Sequence, residues 1–599
     1  MSSRLVLVLV NSGSPAYQDG MQIVLPYLDH FGVPYRIIDL MYTPLPVDVA
    51  EQALVVVAHR QRDMDGRRLG DGGKRALIDA FQHGCGYVSF DPLLFDSADA
   101  AKSGHLSRTP HAPVSGDVIK FGDCTHYITA LHETGETLAL GQSLSMLPSA
   151  PFHGSADATD SATLLTVGDA PVLSVQQLGQ GRLVTWATSD WGRTTVLGPV
   201  AGLDDVLWRS LVWAARKPFA LRGMPPFLTM RVDDVAGTGG LWHESPLYWV
   251  RTCNRYGLKP WLGLFLYNLT PDAIAETKTL VAGGQATAFP HAFGRPPRHG
   301  ARDYFYSDQA LPLRSTTYDE FIYFDHERGR PWPDDEAARG LAAVDAWHAR
   351  TGIPISPYAV AHWYEAGLNV MRHLQQRWGV EFICKIQDAD ASLSKDNPWL
   401  ALGPFRRHEL PGACHSDTTR RSGRPVYYAD FVNFGGVQLF NCVTEIRDDA
   451  GYEWAPDNDI PATVCRGVRQ LRRALDSMVL PVLFTHETDY IYKISPDAWE
   501  AEIAQIMGAI HDDGYEPVCV TLDEGARYAR ALRTSRMTSC SWDAARRVVS
   551  ASYTGHADVT TQFLIFTDSD AGITSRRADV PAFSEHALVE VQLQSVHVD

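Results

Sequence analysis

The fold of this chain is decided by one stretch, Phe227-Leu228-Thr229-Met230-Arg231-Val232-Asp233-Asp234-Val235, an apolar strand that ends in two adjacent carboxylates. Successive side chains of a strand point to opposite faces, so one Asp can hold a metal while its neighbour, turned by the following loop, acts on water. Asp-Asp at a strand end is also typical of a helix N-cap or a turn. Both interpretations stay open until the rest of the chain is considered.

Length and composition describe an ordinary folded protein. The chain has 599 residues, of which 45% are hydrophobic and 21% charged, and this length predicts roughly three to four domains. The formal net charge is −17 and no Lys/Arg cluster is visible, which argues against a nucleic-acid or anionic-membrane partner. A neutral or cationic substrate fits better, and a homo-oligomer remains compatible with the sequence.

Targeting signals and cysteine usage favour the cytoplasm. The apolar run Leu5–Val10 is too short for a secretion signal and leads directly into a polar loop, so it predicts a buried first strand. No stretch reaches the roughly eighteen apolar residues of a membrane span. The nine cysteines are scattered, without a Cys-x-x-Cys pair, which indicates a reducing compartment.

Residues 1–222 alternate apolar runs with helical patterns, which predicts a parallel sheet covered by helices. The region resembles the glutamine-amidotransferase-like (ThuA-like) flavodoxin-type domains attached to many carbohydrate enzymes. The resemblance is carried by Ala80–Phe90, Gly179–Trp186 and Leu207–Ala215. An amidotransferase nucleophile stands on a sharp turn after its strand, whereas Cys85 precedes its strand, so we expect a non-catalytic domain.

Residues 223–532 repeat strand and helix with polar residues at the strand ends. The predicted strands include Trp261–Tyr267, Ala286–His291, Ile353–Tyr358, Val380–Ile386, Val479–Glu487 and Tyr515–Leu522, and the predicted helices include Ser245–Tyr256, Pro271–Ala282, Leu341–Arg350 and Pro496–Asp512. Polar residues gathered at the C-terminal ends of such strands are typical of a catalytic β/α barrel.

This series resembles the polysaccharide deacetylase (NodB-homology) superfamily, whose fold is a distorted (β/α)7 barrel. The first motif of that superfamily, an apolar strand ending in Asp-Asp, matches Met230–Asp234, and its closing pattern of strand, His, helix and final strand matches Phe484–Leu522. The resemblance implies a catalytic barrel over about half the chain. It also implies a divalent metal, with zinc favoured.

The resemblance assigns roles by position. Asp233 would be the general base, Asp234 and His291 metal ligands, and His486 the general acid. A metal held by one carboxylate and two imidazoles leaves positions open for water and a carbonyl oxygen. The superfamily places its second histidine four residues after the first, but Arg295 stands there, and the next histidine is His299. A rigid loop around the intervening prolines would carry His299 back to the metal; otherwise the metal has fewer protein ligands or is absent.

Other candidates surround this set. His362, Arg295 and Trp242 are predicted substrate contacts, Trp242 by stacking on a sugar ring. Glu365 and Glu487 are candidate catalytic carboxylates. His362 and Glu365 are equally typical of a helix start, and the run Asp325-His326-Glu327 is typical of a solvated charged loop.

Beyond residue 533 the pattern changes to alternation, which predicts a small antiparallel β-sandwich over residues 533–599. The whole chain is therefore predicted to be an α/β multidomain protein: a flavodoxin-like parallel-sheet domain, a distorted (β/α)7 barrel and the sandwich. The sandwich either binds carbohydrate or supports the barrel.

The leading hypothesis is a metal-dependent deacetylase that removes N-acetyl or O-acetyl groups from an oligo- or polysaccharide. The first alternative is a glycoside hydrolase on the same barrel, in which Asp233 or Asp234 works with Glu365 or Glu487, at carboxylate separations that differ between retaining and inverting enzymes. The second alternative is an inactive carbohydrate-binding protein. In an inactive protein the two aspartates, His291 and His486 need not converge.

Overall fold

The computed structural model describes residues 2–63, 66–67, 69–95, 112–148, 161–193, 196–198, 202–242, 244–294, 321–383, 429–434, 436–442, 460–488 and 490–593. The architecture is mixed α/β with several sheets, and the chain divides into two compact units. The first comprises Met1–Gly223 with Ala531–Asp599, and the second comprises Met224–Arg530. Among the described helices, none has both the length and the apolar character needed to cross a membrane.

The first unit contains a nine-stranded sheet that is half parallel and half antiparallel. Its strands lie in the order Tyr35–Asp39, Val6–Val10, Leu54–Val57, Gly86–Ser89, Gly181–Trp186, Ala170–Leu178, Ala162–Val167, Val114–Phe121 and Thr137–Met146. Neighbours among the first five run parallel, and the remaining pairs are antiparallel. The helices of this part are Tyr17–Asp19, Leu25–His30, Asp71–Gln82 and Asp204–Ala214, with a π-helical turn at Gly20–Val24.

The predicted alternation of strand and helix holds only for the parallel half. Between Val114 and Leu178 the chain forms antiparallel strands instead, several of which expose alternate residues on one face. Such half-exposed strands carry the weak period-2 pattern of an antiparallel sheet rather than the continuous apolar run of a doubly covered strand.

Cys85 is fully buried and burial raises the pKa of its thiol to about 12, so it carries no thiolate near neutral pH.

The C-terminal strands form two antiparallel sheets that share one apolar core. The four-stranded sheet contains Ser2–Ser3, Ser535–Asp543, Val548–Ala557 and Phe583–Gln592, and the three-stranded sheet contains Phe219–Leu221, Thr561–Ser569 and Gly572–Val580. Their inward residues, among them Met537, Tyr553, Phe563 and Ile565, pack in a single cluster. Two of the strands come from the first 223 residues, which explains why these sheets belong to the first unit. The division into three domains stays a prediction.

The second unit is built on parallel strands. In one sheet Thr287–Ala292, Pro260–Phe265, Phe227–Val235 and Val482–His486 lie side by side, and Val518–Cys519 also pairs with Phe227–Val235. A second sheet contains Tyr358–Ala359, Phe382–Ile383, Val437–Cys442 and Ala429–Phe434. The described α-helices are Tyr248–Arg255, Pro271–Ala282, Asp334–Thr351, Leu368–Trp378, Ile460–Asp476, Pro496–Asp512 and Leu522–Thr534, of which the last runs across the boundary between the units at Arg530. The described strands do not close into a barrel, so the (β/α)7 barrel stays a prediction.

Glu502 is a buried carboxyl on the helix Pro496–Asp512. Tyr490 donates a hydrogen bond to its Oε1, and its Oε2 has no hydrogen-bond partner among the described residues. Burial raises the pKa of Glu502 to about 7, although the Tyr490 hydrogen bond opposes the shift. The neutral acid is therefore the favoured form inside the fold.

We predict that Glu502→Gln stabilises the protein above pH 7. The folded pKa lies above that of the unfolded chain, so this group's contribution to stability is fully present below about pH 4.5 and is lost as pH rises through about 7. The loss is at most about 3 kcal/mol. Urea midpoints from tryptophan fluorescence at pH 5 and pH 8 measure it: the difference between variant and wild type must grow with pH. An equal difference at both pH values would contradict the prediction.

Candidate active site

Four predicted site residues lie at one edge of the parallel sheet of the second unit. Asp233 and Asp234 lie at the end of Phe227–Val235, His291 near the end of Thr287–Ala292, and His486 at the end of Val482–His486. In the pairing of the first and last of these strands, Asp233 stands opposite His486. Parallel strands present their carboxyl ends at the same edge of a sheet. The apolar residues that precede the polar ones are buried in the core and so hold each strand in place.

Three buried side chains converge here with the donor set of a metal centre. Asp234 Oδ1 lies 3.5 Å from His291 Nε2 and 3.4 Å from His362 Nδ1, and the two ring nitrogens are 3.1 Å apart. Ligand atoms about 2.0–2.2 Å from a tetrahedral zinc ion are about 3.3–3.6 Å from one another. The two oxygen–nitrogen distances fall in that range and the nitrogen–nitrogen distance is slightly shorter, so the three donors would hold one divalent metal after a small separation of the two imidazole rings.

The hydrogen bonds of His291 set its tautomer. Its Nδ1 lies 2.9 Å from the carbonyl oxygen of Val360, so Nδ1 carries the proton and donates it, and Nε2 is left as an acceptor 3.1 Å from His362 Nδ1. Burial lowers the pKa of His291 to about 4, against the opposing effect of Asp233, so the ring is neutral at physiological pH. A neutral imidazole whose second nitrogen is held by a carbonyl is the usual form of a metal ligand.

Asp234 is held as a carboxylate in a strained backbone conformation. Burial alone would raise its pKa, but His362 and the other nearby imidazoles outweigh this effect and hold the pKa well below the usual range. Its φ of 56° lies in the left-handed region, which costs an L-residue free energy and persists only where neighbouring contacts impose it. The contacts that impose it come from the residue that follows His486.

Glu487 anchors the loop after Asp234. Its Oε2 accepts hydrogen bonds from the backbone amides of Ala236 and Gly237, its Oε1 accepts one from Trp249 Nε1 at 2.7 Å, and its own amide donates to the Asp233 carbonyl at 3.0 Å. Burial raises the pKa of Glu487 to about 7, although these donors oppose the shift. Glu487, predicted as a candidate catalytic carboxylate, thus binds the backbone of the turn that follows Asp234.

Arg231 holds Asp233. Its Nε donates to Asp233 Oδ1 at 2.8 Å, and its Nη2 pairs with Oδ2. The guanidinium is almost fully buried, 4.4 Å from the centre of the Phe484 ring, with the Tyr364 hydroxyl 3.4 Å from Nη2. Burial would raise the pKa of Asp233, but Arg231 and then His291 outweigh it, so the pKa falls below its ordinary value. Asp233 is therefore ionised, with Oδ2 3.6 Å from His291 Nε2.

His486 lies on the strand next to that of the two aspartates, paired with Asp233, and is partly exposed. Its ring centre is 5.1 Å from that of Phe484, and its charge would lower the pKa of both Asp233 and Asp234. Its pairing with Asp233 places it at the same sheet edge as the two carboxylates.

The remaining predicted residues fall into three classes. Glu365 is buried and pairs with His326, which the sequence had placed in a solvated loop. Burial raises the pKa of Glu365, and His326 opposes the shift. Trp242 ends a short 3-10 turn and is 49% exposed. Arg295 and His299 lie outside the described residues.

The sequence assigned a different role to one residue of this cluster and gave no role to another. His362 was predicted to contact substrate, yet the structure places it among the metal-type donors, three residues after the strand Tyr358–Ala359. Arg231 was read as part of an apolar strand, although the period-2 alternation puts residues 231 and 233 on one face.

Neither the protein-family models nor the curated proteins give a match to this sequence. Among solved structures, a candidate glycoside hydrolase/deacetylase from Parabacteroides distasonis covers 60% of this chain and 86% of its own, at 10% identity and a TM-score of 0.26. A candidate ThuA-like protein from Parabacteroides merdae covers 31% of this chain and 79% of its own (12% identity, TM-score 0.23). A β-galactosidase from Bacillus circulans sp. alkalophilus covers 31% and 29% (12% identity, TM-score 0.21). Similarities this weak say nothing about function, which therefore has to be argued from the side chains of the site.

Proposed function

We propose that this chain is a metal-dependent hydrolase that removes acetyl groups from a carbohydrate. The observation that carries the proposal is the convergence of the donor atoms of Asp234, His291 and His362 to within 3.1–3.5 Å of one another, beside an ionised Asp233. Three protein ligands leave one coordination position open, which distinguishes catalytic metal sites from structural ones. The proposal replaces His299, expected from the sequence, with His362 as the third ligand.

The chain's own residues supply the proton transfers of such a hydrolysis. A divalent metal, when bound, would polarise the acyl carbonyl and the attacking water. Asp233, ionised and oriented by Arg231, accepts the proton of the water. His486, on the neighbouring strand, donates a proton to the departing nitrogen or oxygen of the sugar. A base for the water and an acid for the leaving group let the bond to the new oxygen form as the bond to the sugar breaks.

The rival functions have less support. A glycosidase needs two carboxylates facing one sugar bond, but both glutamates that would partner an aspartate are engaged elsewhere, because Glu487 binds backbone amides and Glu365 binds His326. An inactive carbohydrate-binding protein would not need the two aspartates and His291 to converge as closely as they do. The acidic net charge of −17 would also favour a product that becomes cationic as amines are released.

We predict that His362→Ala loses the metal while a histidine variant elsewhere keeps it. The control is His348→Ala, because His348 lies on the helix Asp334–Thr351 and binds the carbonyl of Ile353. Elemental analysis should find about one equivalent of a divalent transition metal in wild type and control, and affinity at least about 100-fold weaker in His362→Ala. Acetate release from an N-acetylglucosamine tetramer should follow metal content.

The outcomes separate the functions. Metal in wild type that survives His362→Ala would reject this ligand set. Wild type that takes up no metal, even with added zinc, would reject the metal-dependent mechanism. Release of reducing sugar ends instead of acetate would favour the glycosidase.

A further inference from the structure

Four consecutive residues after the strand Tyr358–Ala359 each have a different environment. His362 joins the donor set with Asp234, the Tyr364 hydroxyl lies 3.4 Å from the Arg231 guanidinium, and Glu365 is buried against His326. Trp363 alone points outward, with 40% of its surface exposed. A large apolar side chain on the surface directly beside a candidate catalytic group is a feature that the proposed chemistry does not use.

The backbone that presents Trp363 is strained. Trp363 has φ 55° and Tyr364 has φ 61°, so two successive bulky residues occupy the left-handed region. Such conformations are costly for residues with a Cβ and persist only where surrounding contacts over-determine them. Here the contacts are made by the neighbouring side chains. His362 lies against Asp234 and His291, Tyr364 against Arg231, and Glu365 pairs with His326. The strain is thus a consequence of fixing both neighbours while turning the indole outward.

His326 supports the indole from the side. Its Nδ1 lies 2.8 and 3.1 Å from the two Glu365 oxygens, which makes Nδ1 the proton-bearing nitrogen and fixes the ring plane. The same ring stacks on Phe321 at 4.4 Å with an interplanar angle of 4°, and its centre lies 4.9 Å from that of the Trp363 ring. Phe321 in turn contacts His362 at 4.9 Å. The indole therefore has a fixed orientation next to the donor set rather than the freedom of an ordinary surface tryptophan.

We propose that Trp363 is the platform on which a pyranose ring of the substrate stacks, and that His326, held by Glu365, is the positioning residue for that platform. A sugar ring with equatorial substituents presents a continuous face of axial C–H groups, and an indole offers a matching flat apolar surface. The substrate class is therefore a gluco-configured β-linked chain. The inference rests on the proposed function, in that the stacked ring carries or adjoins the acetylated position.

The test is direct binding of two probes to the full-length protein by isothermal titration calorimetry. The probes are the β-1,4-linked N-acetylglucosamine tetramer and cellotetraose, which carries no acetyl group and so reports binding without turnover. We expect Trp363→Ala to raise Kd for both by about tenfold or more, as truncation of an aromatic anchor does. Trp363→Phe, which keeps a flat apolar face, should stay within about threefold of wild type. The control Tyr42→Ala removes an exposed aromatic of the other unit and should leave Kd unchanged.

The positioning role of His326 is tested by a double-mutant cycle. His326→Ala should weaken binding in the wild-type background and have no further effect beside Trp363→Ala. Additive effects would overturn the positioning role. Unchanged Kd in Trp363→Ala, or no binding of either tetrasaccharide by wild type, would overturn the platform. Binding that depends on Trp363 but is not accompanied by acetate release would reject the deacetylase and support the role of Trp363. Acetate release that is insensitive to Trp363 would support the deacetylase and reject the role of Trp363.

Discussion

Asp233→Asn is expected to lower kcat for acetate release by about 10²–10⁴-fold, the range typical for loss of a general base. The amide keeps the shape of the carboxylate and can still accept the 2.8 Å hydrogen bond from Arg231 Nε, but it cannot take up a proton. Metal content should stay at the wild-type level, because the donor set consists of Asp234, His291 and His362. The comparison of kcat with metal content in one preparation therefore isolates the proton transfer from the metal.

The matched control for this variant is Asp234→Asn, which alters the neighbouring residue on the same strand. It should lose metal and activity together, since a neutral amide is a weaker ligand for a divalent ion. If Asp233→Asn kept more than about a tenth of the wild-type kcat, Asp233 would not be the base. If both variants lost metal, the two aspartates would act as one site.

The pattern of strand ends predicted much of this site. Asp233, Asp234, His291 and His486 were each found by looking for polar residues where an apolar strand stops, and the structure places all four at one sheet edge. This works because parallel strands share the direction of their carboxyl ends. The register that sets Asp233 opposite His486 is a tertiary property, however, and no local pattern contains it.

The place of His362 in the donor set could not be predicted from the sequence. The strand before His362 is only two residues long, Tyr358–Ala359, and so gives almost no periodic signal. His362 reaches the donor set through a turn in which Trp363 and Tyr364 have positive φ, and bulky residues adopt that conformation only under tertiary contacts. The superfamily pattern places the second histidine shortly after His291, and the first histidine there is His299.

The same limit applies to the sheet of the first unit. The parallel strands Val6–Val10 and Leu54–Val57 are buried at every position, and continuous apolar runs of this kind are recognisable in a sequence. Val114–Phe121 and Thr137–Met146 alternate buried with exposed residues and carry polar side chains. Their pairing depends on partners distant in the chain, which local propensity does not specify.

Arg231→Met is expected to destabilise the protein by about 3–5 kcal/mol, the typical cost of removing one partner of a buried ion pair. The variant would leave Asp233 buried with no guanidinium to offset its desolvation, and both side chains are almost fully excluded from solvent. The pKa of Asp233, now lowered chiefly by Arg231 against the effect of burial, should rise. The acid limb of the kcat/KM profile should therefore move to higher pH.

The double variant Arg231→Met/Asp233→Asn separates the two roles of the pair. Removing both charges together leaves no uncompensated ion, so most of the lost stability should return, whereas activity should stay as low as in Asp233→Asn alone. Urea unfolding of the four proteins in the cycle gives the coupling free energy directly. A double variant as unstable as Arg231→Met would mean that Arg231 acts through its packing on Phe484, 4.4 Å from the guanidinium, rather than through its charge. Recovery of stability without activity would show that the charge pair is not needed for folding, and the pH shift in Arg231→Met then tests whether Arg231 keeps Asp233 ionised.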